Sequence, residues 1–160
     1  MSDLTHFNSE GRAKMVDVSE KNATVREAVA GGTVQLNAET FGIIARGEIK
    51  KGDVLAVAQV AGIMAAKRTH EIVPMCHPVA ITGIDISLTP DDKHNTIDIR
   101  ATVRCKGETG VEMEALTAVT AAALTIYDMC KSVQKDIEIN GVRLLRKAGG
   151  NSGVYEGRKG

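Results

Sequence analysis

Ile81-Thr82-Gly83-Ile84-Asp85-Ile86-Ser87-Leu88 alternates apolar and polar residues, and Thr96-Ile97-Asp98-Ile99-Arg100-Ala101-Thr102-Val103-Arg104 does so again. Between them lies Thr89-Pro90-Asp91-Asp92-Lys93-His94-Asn95, a cluster of turn-forming residues. A period of two is the pattern of a half-buried strand, and two such runs around a turn predict an antiparallel hairpin. One face of the pair carries Ile84, Ile86, Leu88, Ile97, Ile99, Ala101 and Val103. That face needs a cover, and its neighbours in the chain supply it.

Upstream, residues 24–36 mix β-branched residues with Gly31-Gly32 and read as a strand with a bend. Residues 38–45 read as a short helix. Gly52-Asp53 opens a second helix expected to run to about Ile72, with Pro74 ending it. Downstream, residues 112–133 form a long apolar helix pattern, and residues 136–145 a last strand, bent at Gly141. The order strand, helices, strand, strand, helix, strand is that of an α+β, ferredoxin-like antiparallel sheet with helices packed on one face. Residues 15–148 are expected to form a single domain between a mobile arm, 1–14, and a flexible Gly-rich tail, 149–160. Residues 15–18 are expected to be extended.

Composition narrows the function. The 160 residues carry 20 Lys plus Arg and 20 Asp plus Glu. A balanced charge argues against a polyanion-coating or membrane-binding face. No Trp, two Phe and two Tyr leave few platforms for stacking nucleic-acid bases. Cys76, Cys105 and Cys130 are far apart, with no C-x-x-C pair, so no disulfide framework or zinc site is indicated. Reduced thiols and a polar N-terminus fit a cytoplasmic location.

Charged residues gather at element ends. Asp128 and Lys131 stand three apart on the long helix, hence side by side on one face. Glu112 and Glu114 lie in its first turn, where acids favour the helix dipole, and Thr109-x-x-Glu112 matches a capping box. Lys51 precedes the second helix, Lys67 closes it, and Pro74-Met75-Cys76-His77-Pro78 holds a histidine in a stiff loop. Gly149-Gly150-Asn151-Ser152-Gly153 is a weak candidate for a phosphate cradle, since it does not match the G-x-x-x-x-G-K-S/T loop, and a disordered tail is the preferred reading. Each charge also suits an ordinary helix end or turn. Together they suggest a pocket for an anionic substrate, with lysines whose pKa other cations lower towards acid–base use. A non-catalytic module binding a phosphorylated metabolite, and a phosphatase on the same scaffold, would use similar cations.

Three long motifs carry a resemblance. They are Pro74-Met75-Cys76-His77-Pro78, Thr109-Gly110-Val111-Glu112-Met113-Glu114-Ala115-Leu116-Thr117, and Thr125-Ile126-Tyr127-Asp128-Met129-Cys130-Lys131. Together with Met15-Val16-Asp17-Val18 and Lys51-Gly52-Asp53-Val54, the sequence closely resembles the cyclic pyranopterin monophosphate synthase family of molybdenum cofactor biosynthesis. The resemblance implies a lyase that converts 3′,8-cyclised dihydro-GTP to cyclic pyranopterin monophosphate and diphosphate. It implies no redox cofactor and a hexamer built as a trimer of dimers, and no metal is expected because no ligand pair at usual spacing follows Cys76-His77. By its pattern Asp128, Lys131 and Lys51 fall on catalytic positions. Met75, Cys76, His77, Met113 and Glu114 fall on substrate contacts, and Glu112 and Lys67 on the pocket lining. Helix length adds a constraint. Glu114 and Lys131 would stand about 25 Å apart along a continuous helix at a rise of ~1.5 Å per residue. A nucleotide-sized substrate that touches both ends is met most simply by two antiparallel copies of the helix, one from each protomer of a two-fold dimer.

Overall fold

The computed structural model describes residues 8–158. The first seven residues of the expected arm and the last two of the expected tail lie outside that range. In chain order the elements are β1 (Thr24–Gln35), α1 (Ala38–Ala45), α2 (Val54–Ala66), α3 (Thr69–Ile72), β2 (Ile81–Asp91), β3 (Thr96–Gly107), α4 (Glu112–Cys130), β4 (Glu138–Ala148) and β5 (Tyr155–Glu156). The sheet order is β2-β3-β1-β4-β5, and every pairing is antiparallel. Its first four strands follow the ferredoxin-like order, and β5 is added at the β4 edge. The fold is α+β, as the alternating hairpin and the helix spacing predict.

Register explains which face the helices cover. Ala28, Ala30 and Val34 of β1 pair with Val103, Ala101 and Ile97 of β3, and all six are buried. Ile86 of β2 lies opposite Ala101 and extends the same apolar face. Against it packs α4, whose Ala115, Ala118, Val119, Ala122 and Ile126 are buried, with α2 alongside. The contact is made by small residues on both sides. A Cβ on Gly32 would stand 3.0 Å from Val119 Cγ1, so α4 rides close over β1 at that point. The core thus fills its volume by close approach of backbones, which fits its poverty in aromatics.

The same closeness joins α2 to α4. A Cβ on Gly62 would meet Ile86 Cδ1 at 2.7 Å and the Ala118 carbonyl oxygen at 2.9 Å. The second of these is backbone and cannot rotate away. Gly62→Val is therefore expected to destabilise the protein by about 1–3 kcal/mol or more through overpacking. Urea unfolding measures it, and an unchanged midpoint would mean that the helices separate freely.

The long helix ends at Cys130 rather than near 133, and the last strand runs Glu138–Ala148 rather than 136–145; three further departures change the local structure. The helix expected over residues 52–72 is two helices. Asp53 caps α2, its Oδ1 accepting from the Ala56 amide at 3.0 Å, and α2 ends at Ala66. Arg68, at φ −117° and ψ 17°, leaves the helical region, and the Thr69 hydroxyl donates to the Ala66 carbonyl at 3.0 Å. Competition of a short hydroxyl side chain with the backbone ladder breaks the helix there without glycine or proline. The Thr109–Glu112 capping box is not formed. Val111 is the N-cap and has no side-chain capping bond, while Glu112 turns its carboxylate over Gly110 and towards Lys147. Nor is the segment after Ala148 wholly loose. Arg146 and Lys147 pair with Glu156 and Tyr155, and the Gly157 amide donates to the Leu145 carbonyl at 2.7 Å.

No helix among the described residues is long and apolar enough to cross a membrane. The three cysteines are free.

Candidate functional site

The candidate residues fall into two groups, and α4 separates them. At its C-terminal end, Asp128 accepts from two lysines. Lys131 Nζ lies 2.6 Å from Asp128 Oδ1, across one helical turn. Lys51 Nζ lies 3.4 Å from Oδ2 and 2.8 Å from the Asp128 carbonyl oxygen. Local structure delivers Lys51 there. The Gly52 amide closes a turn on the Ile49 carbonyl, Gly52 takes φ +105°, and the chain then enters α2 beside the end of α4. A cation over the last carbonyls of a helix is favourable in itself, because those carbonyls lack helical partners.

The two lysines hold the Asp128 carboxyl below the usual carboxylate range, the hydrogen bond from Lys131 most strongly and that from Lys51 next. The same pairing raises Lys131 above the ordinary lysine value. This corrects the expectation of a lysine lowered by neighbouring cations: the Asp128 carboxylate one helical turn away raises Lys131 instead. The three side chains are about half exposed, with relative areas of 48%, 58% and 54% for Lys51, Asp128 and Lys131. Water screens them, and a group this open to solvent would need a cover to serve acid–base chemistry. Asp128 has a lowered folded value, so its contribution to stability is complete above the unfolded carboxyl value of about 3.9 and is lost as the pH falls through the lower folded one. Lys131→Ala is expected to raise the Asp128 pKa, read by carbon NMR of the side-chain carboxyl. An unmoved titration would mean that the pair is not formed in solution.

At the N-terminal end of α4 lies a cavity of about 390 Å³. Cys76, His77, Glu112, Met113 and Glu114 line it. The His77 ring is fixed by a 2.7 Å hydrogen bond between Nε2 and the Val16 carbonyl, which ties residues 15–18 to the cavity wall. Glu114 is 4% exposed and forms no ion pair among the described residues. Burial first, and then the Glu112 charge, push its carboxyl upward, with its own amide and His70 opposing. Burial and the Glu114 charge also raise the Cys76 thiol, so it is held as the neutral group. Lys67 lies next door, in an open cavity that shares Val79 with the first. Met75 is partly buried in the turn just before Cys76 and is not in either cavity wall.

Five of the ten candidates thus line one cavity at the N-terminal end of α4, with Lys67 in the adjoining cavity and Met75 in the turn before Cys76, and three stand at the other end of the helix; in one chain the two groups do not meet. Sequence reasoning did not put forward Lys21, Arg26, Lys147 or Ser152, which also line the cavity at the N-terminal end of α4. Their signal was topological: β1 and β4 are neighbours, so Arg26 and Lys147 start from adjoining strands. No three His, Cys, Asp or Glu side chains among the described residues converge as a metal site would need.

Comparison with known proteins places the chain. The family model described as the MoaC family matches residues 15–150. The chain is 62% identical over 154 residues to the cyclic pyranopterin monophosphate synthase of Thermoanaerobacter sp. (strain X514), covering 96% of this chain and 98% of that protein. It is 56% identical over 160 residues to the protein of the same name from Pelotomaculum thermopropionicum, covering 100% and 94%. It is 56% identical over 156 residues to that of Cereibacter sphaeroides (strain KD131 / KCTC 12085), covering 98% of each. A match across nearly the whole of each chain, at identities this high, leaves one assignment: the chain belongs to the MoaC family.

Proposed function

We propose that the protein is a cyclic pyranopterin monophosphate synthase, a lyase that converts 3′,8-cyclised dihydro-GTP to cyclic pyranopterin monophosphate and diphosphate. The observation that carries the reading is the lysine–aspartate–lysine group at the end of α4. A module that only binds a phosphorylated ligand needs the cations but not Asp128 between them. The name shared by the relatives supports the same reaction.

The reaction asks for ring opening and reclosure by proton transfer, then an internal attack. In that last step a substrate hydroxyl attacks the α-phosphorus. Its new P–O bond forms as the bond to the β-phosphate's bridging oxygen breaks. Diphosphate leaves with the bonding pair, and the hydroxyl proton passes to a base. Asp128, Lys51 and Lys131 are the groups assigned to these proton transfers, and the two ammonium groups offset charge that develops on oxygen. Cys76, His77, Met113 and Glu114, with Met75 behind them, hold the purine-derived rings. Glu112 and Lys67 complete the lining. The scheme requires no cofactor.

A substrate held at the Glu114 end must reach Asp128. We assign the second end to a partner protomer, so that two α4 helices related by a two-fold axis build two shared sites. Two features of the protomer support this: the catalytic group is about half exposed, and the buried Glu114 forms no ion pair among the described residues. A trimer of such dimers is the proposed assembly. The free thiols support a reducing compartment, the cytoplasm.

The test is direct. Incubation with the cyclised dihydro-GTP should yield the pyranopterin and one diphosphate per turnover. Release of inorganic phosphate from simple esters instead would make the protein a phosphatase, and binding without turnover would make it a carrier.

A further inference from the structure

A buried glutamine after α4 joins the two chain segments that carry the lysines. Gln134 is 7% exposed, and its side-chain oxygen accepts from the backbone amide of Asn37 at 3.0 Å. Asn37 is the N-cap of α1, and its own Oδ1 accepts from the Thr40 amide at 2.7 Å. In a capping box, the acceptor for the N-cap amide is a Glu or Gln side chain three residues on in the same helix. Here that position is Thr40, too short for the return bond, and its buried hydroxyl has no partner among the described residues. Gln134 completes the box from another element, 97 positions away.

Both partners are themselves fixed. The amides of Val133 and Gln134 donate to the Cys130 carbonyl at 2.9 and 3.1 Å, so the turn that carries Lys131 wraps the last carbonyl of α4. The Tyr127 hydroxyl donates to the Lys135 carbonyl at 3.0 Å and ties the residue beyond that turn back to the helix. From Asn37 the other segment runs through α1 and the Gly47 turn to Lys51, whose Nζ returns to the Asp128 carbonyl at 2.8 Å. Residues 37–51 thus begin and end on the same end of α4. Phe41, Ile44 and Ile49 anchor the stretch in the core, but apolar burial has no direction. The hydrogen bond from Asn37 to Gln134 has one, and it sets where the stretch lies against α4.

We propose that Gln134 is a positioning residue for the lysine–aspartate–lysine group, registering the segment that bears Lys51 against the end of α4 that bears Asp128 and Lys131. The inference rests on the reaction proposed above. Gln134 lines neither cavity and acts through Lys51 rather than on the substrate. Proton transfer needs heavy atoms within about 2.6–3.2 Å of each other, so a small slide of the segment takes Lys51 out of use.

Gln134→Met keeps the length of the side chain and removes the acceptor. Two readouts separate positioning from support of the fold: the titration of the Asp128 carboxyl by carbon NMR, and the split of kcat from KM on the cyclised dihydro-GTP. Loss of register withdraws Lys51, one of the two cations that hold the Asp128 carboxyl low. The titration should therefore move upward, no further than Lys51→Ala moves it, with no added movement in the double variant. The value of kcat should fall by on the order of tenfold or more, with KM little changed. Gln134→Glu keeps an acceptor oxygen at the same reach and should return kcat towards wild type. Gln134→Asn draws the amide back by one methylene and should shift both readouts the same way; it decides the matter if Gln134→Met fails to fold. A folded Gln134→Met or Gln134→Asn protein with the wild-type Asp128 titration and kcat would overturn the assignment and leave Gln134 as a cap of α1 only. An Asp128 titration that depends on Gln134, in a protein that does not turn over the cyclised dihydro-GTP, would overturn the reaction and leave the positioning standing.

Discussion

Asp128→Asn is expected to lower the turnover rate by on the order of a hundredfold or more, the cost of a lost acid–base group, while substrate binding weakens much less. The amide keeps the shape of the side chain and can still accept from one lysine. It loses the charge that holds Lys51 and Lys131 in place and the ability to take a proton. Lys51→Ala and Lys131→Ala should each abolish measurable turnover. All three side chains are half exposed at helix ends, away from the alanine-lined contact of α2 and α4, so the fold should survive. Circular dichroism and size-exclusion profiles check that point beside the kinetics. If Asp128→Asn left the saturated rate unchanged and raised only KM, Asp128 would be a binding group and the proton-transfer assignment would be wrong.

The residues that sequence made legible share a property: their relation is local. Asp128 and Lys131 pair across one turn because three positions on a helix place side chains together, and the 2.6 Å contact follows. The hairpin was legible because alternation with a period of two survives in Ile97, Ile99, Ala101 and Val103, all buried. Helix α1 occupies the residues 38–45 expected from the sequence, and Asn37 Oδ1 caps its start by accepting from the Thr40 amide at 2.7 Å. What stayed hidden was non-local. Lys51 meets Asp128 only because α2 and α4 pack antiparallel, and no spacing encodes that. The break between α2 and α3 rests on one hydroxyl, and Lys67-Arg68-Thr69 contains no residue that forbids a helix. Thr109-x-x-Glu112 has the form of a cap, yet Lys147 from a distant strand draws the Glu112 carboxylate away. The glycines of residues 149–153 advertised freedom; that they wrap Arg26 depends on where β1 lies.

The two-group arrangement also gives the rest of the chain a use. Residues 15–18 form no strand, yet Val16 supplies the carbonyl that orients His77. Small residues under α4 set its distance from the sheet, and hence the positions of Glu114 at one end and Asp128 at the other. A change such as Gly62→Val, remote from both groups, should therefore disturb activity as well as stability.

Subunit mixing tests the account most directly. Lys131→Ala and Glu114→Ala proteins should each be nearly inactive alone. If one site takes Glu114 from one protomer and Lys131 from the other, each mixed dimer has one site with both defects and one with neither. After subunit exchange the mixed dimers should recover towards about half of the wild-type site complement. If both residues served a site within one chain, every site in the mixture would carry a defect. Absence of recovery, with exchange confirmed by mass spectrometry, would contradict the shared site and with it the roles given to the two ends of α4.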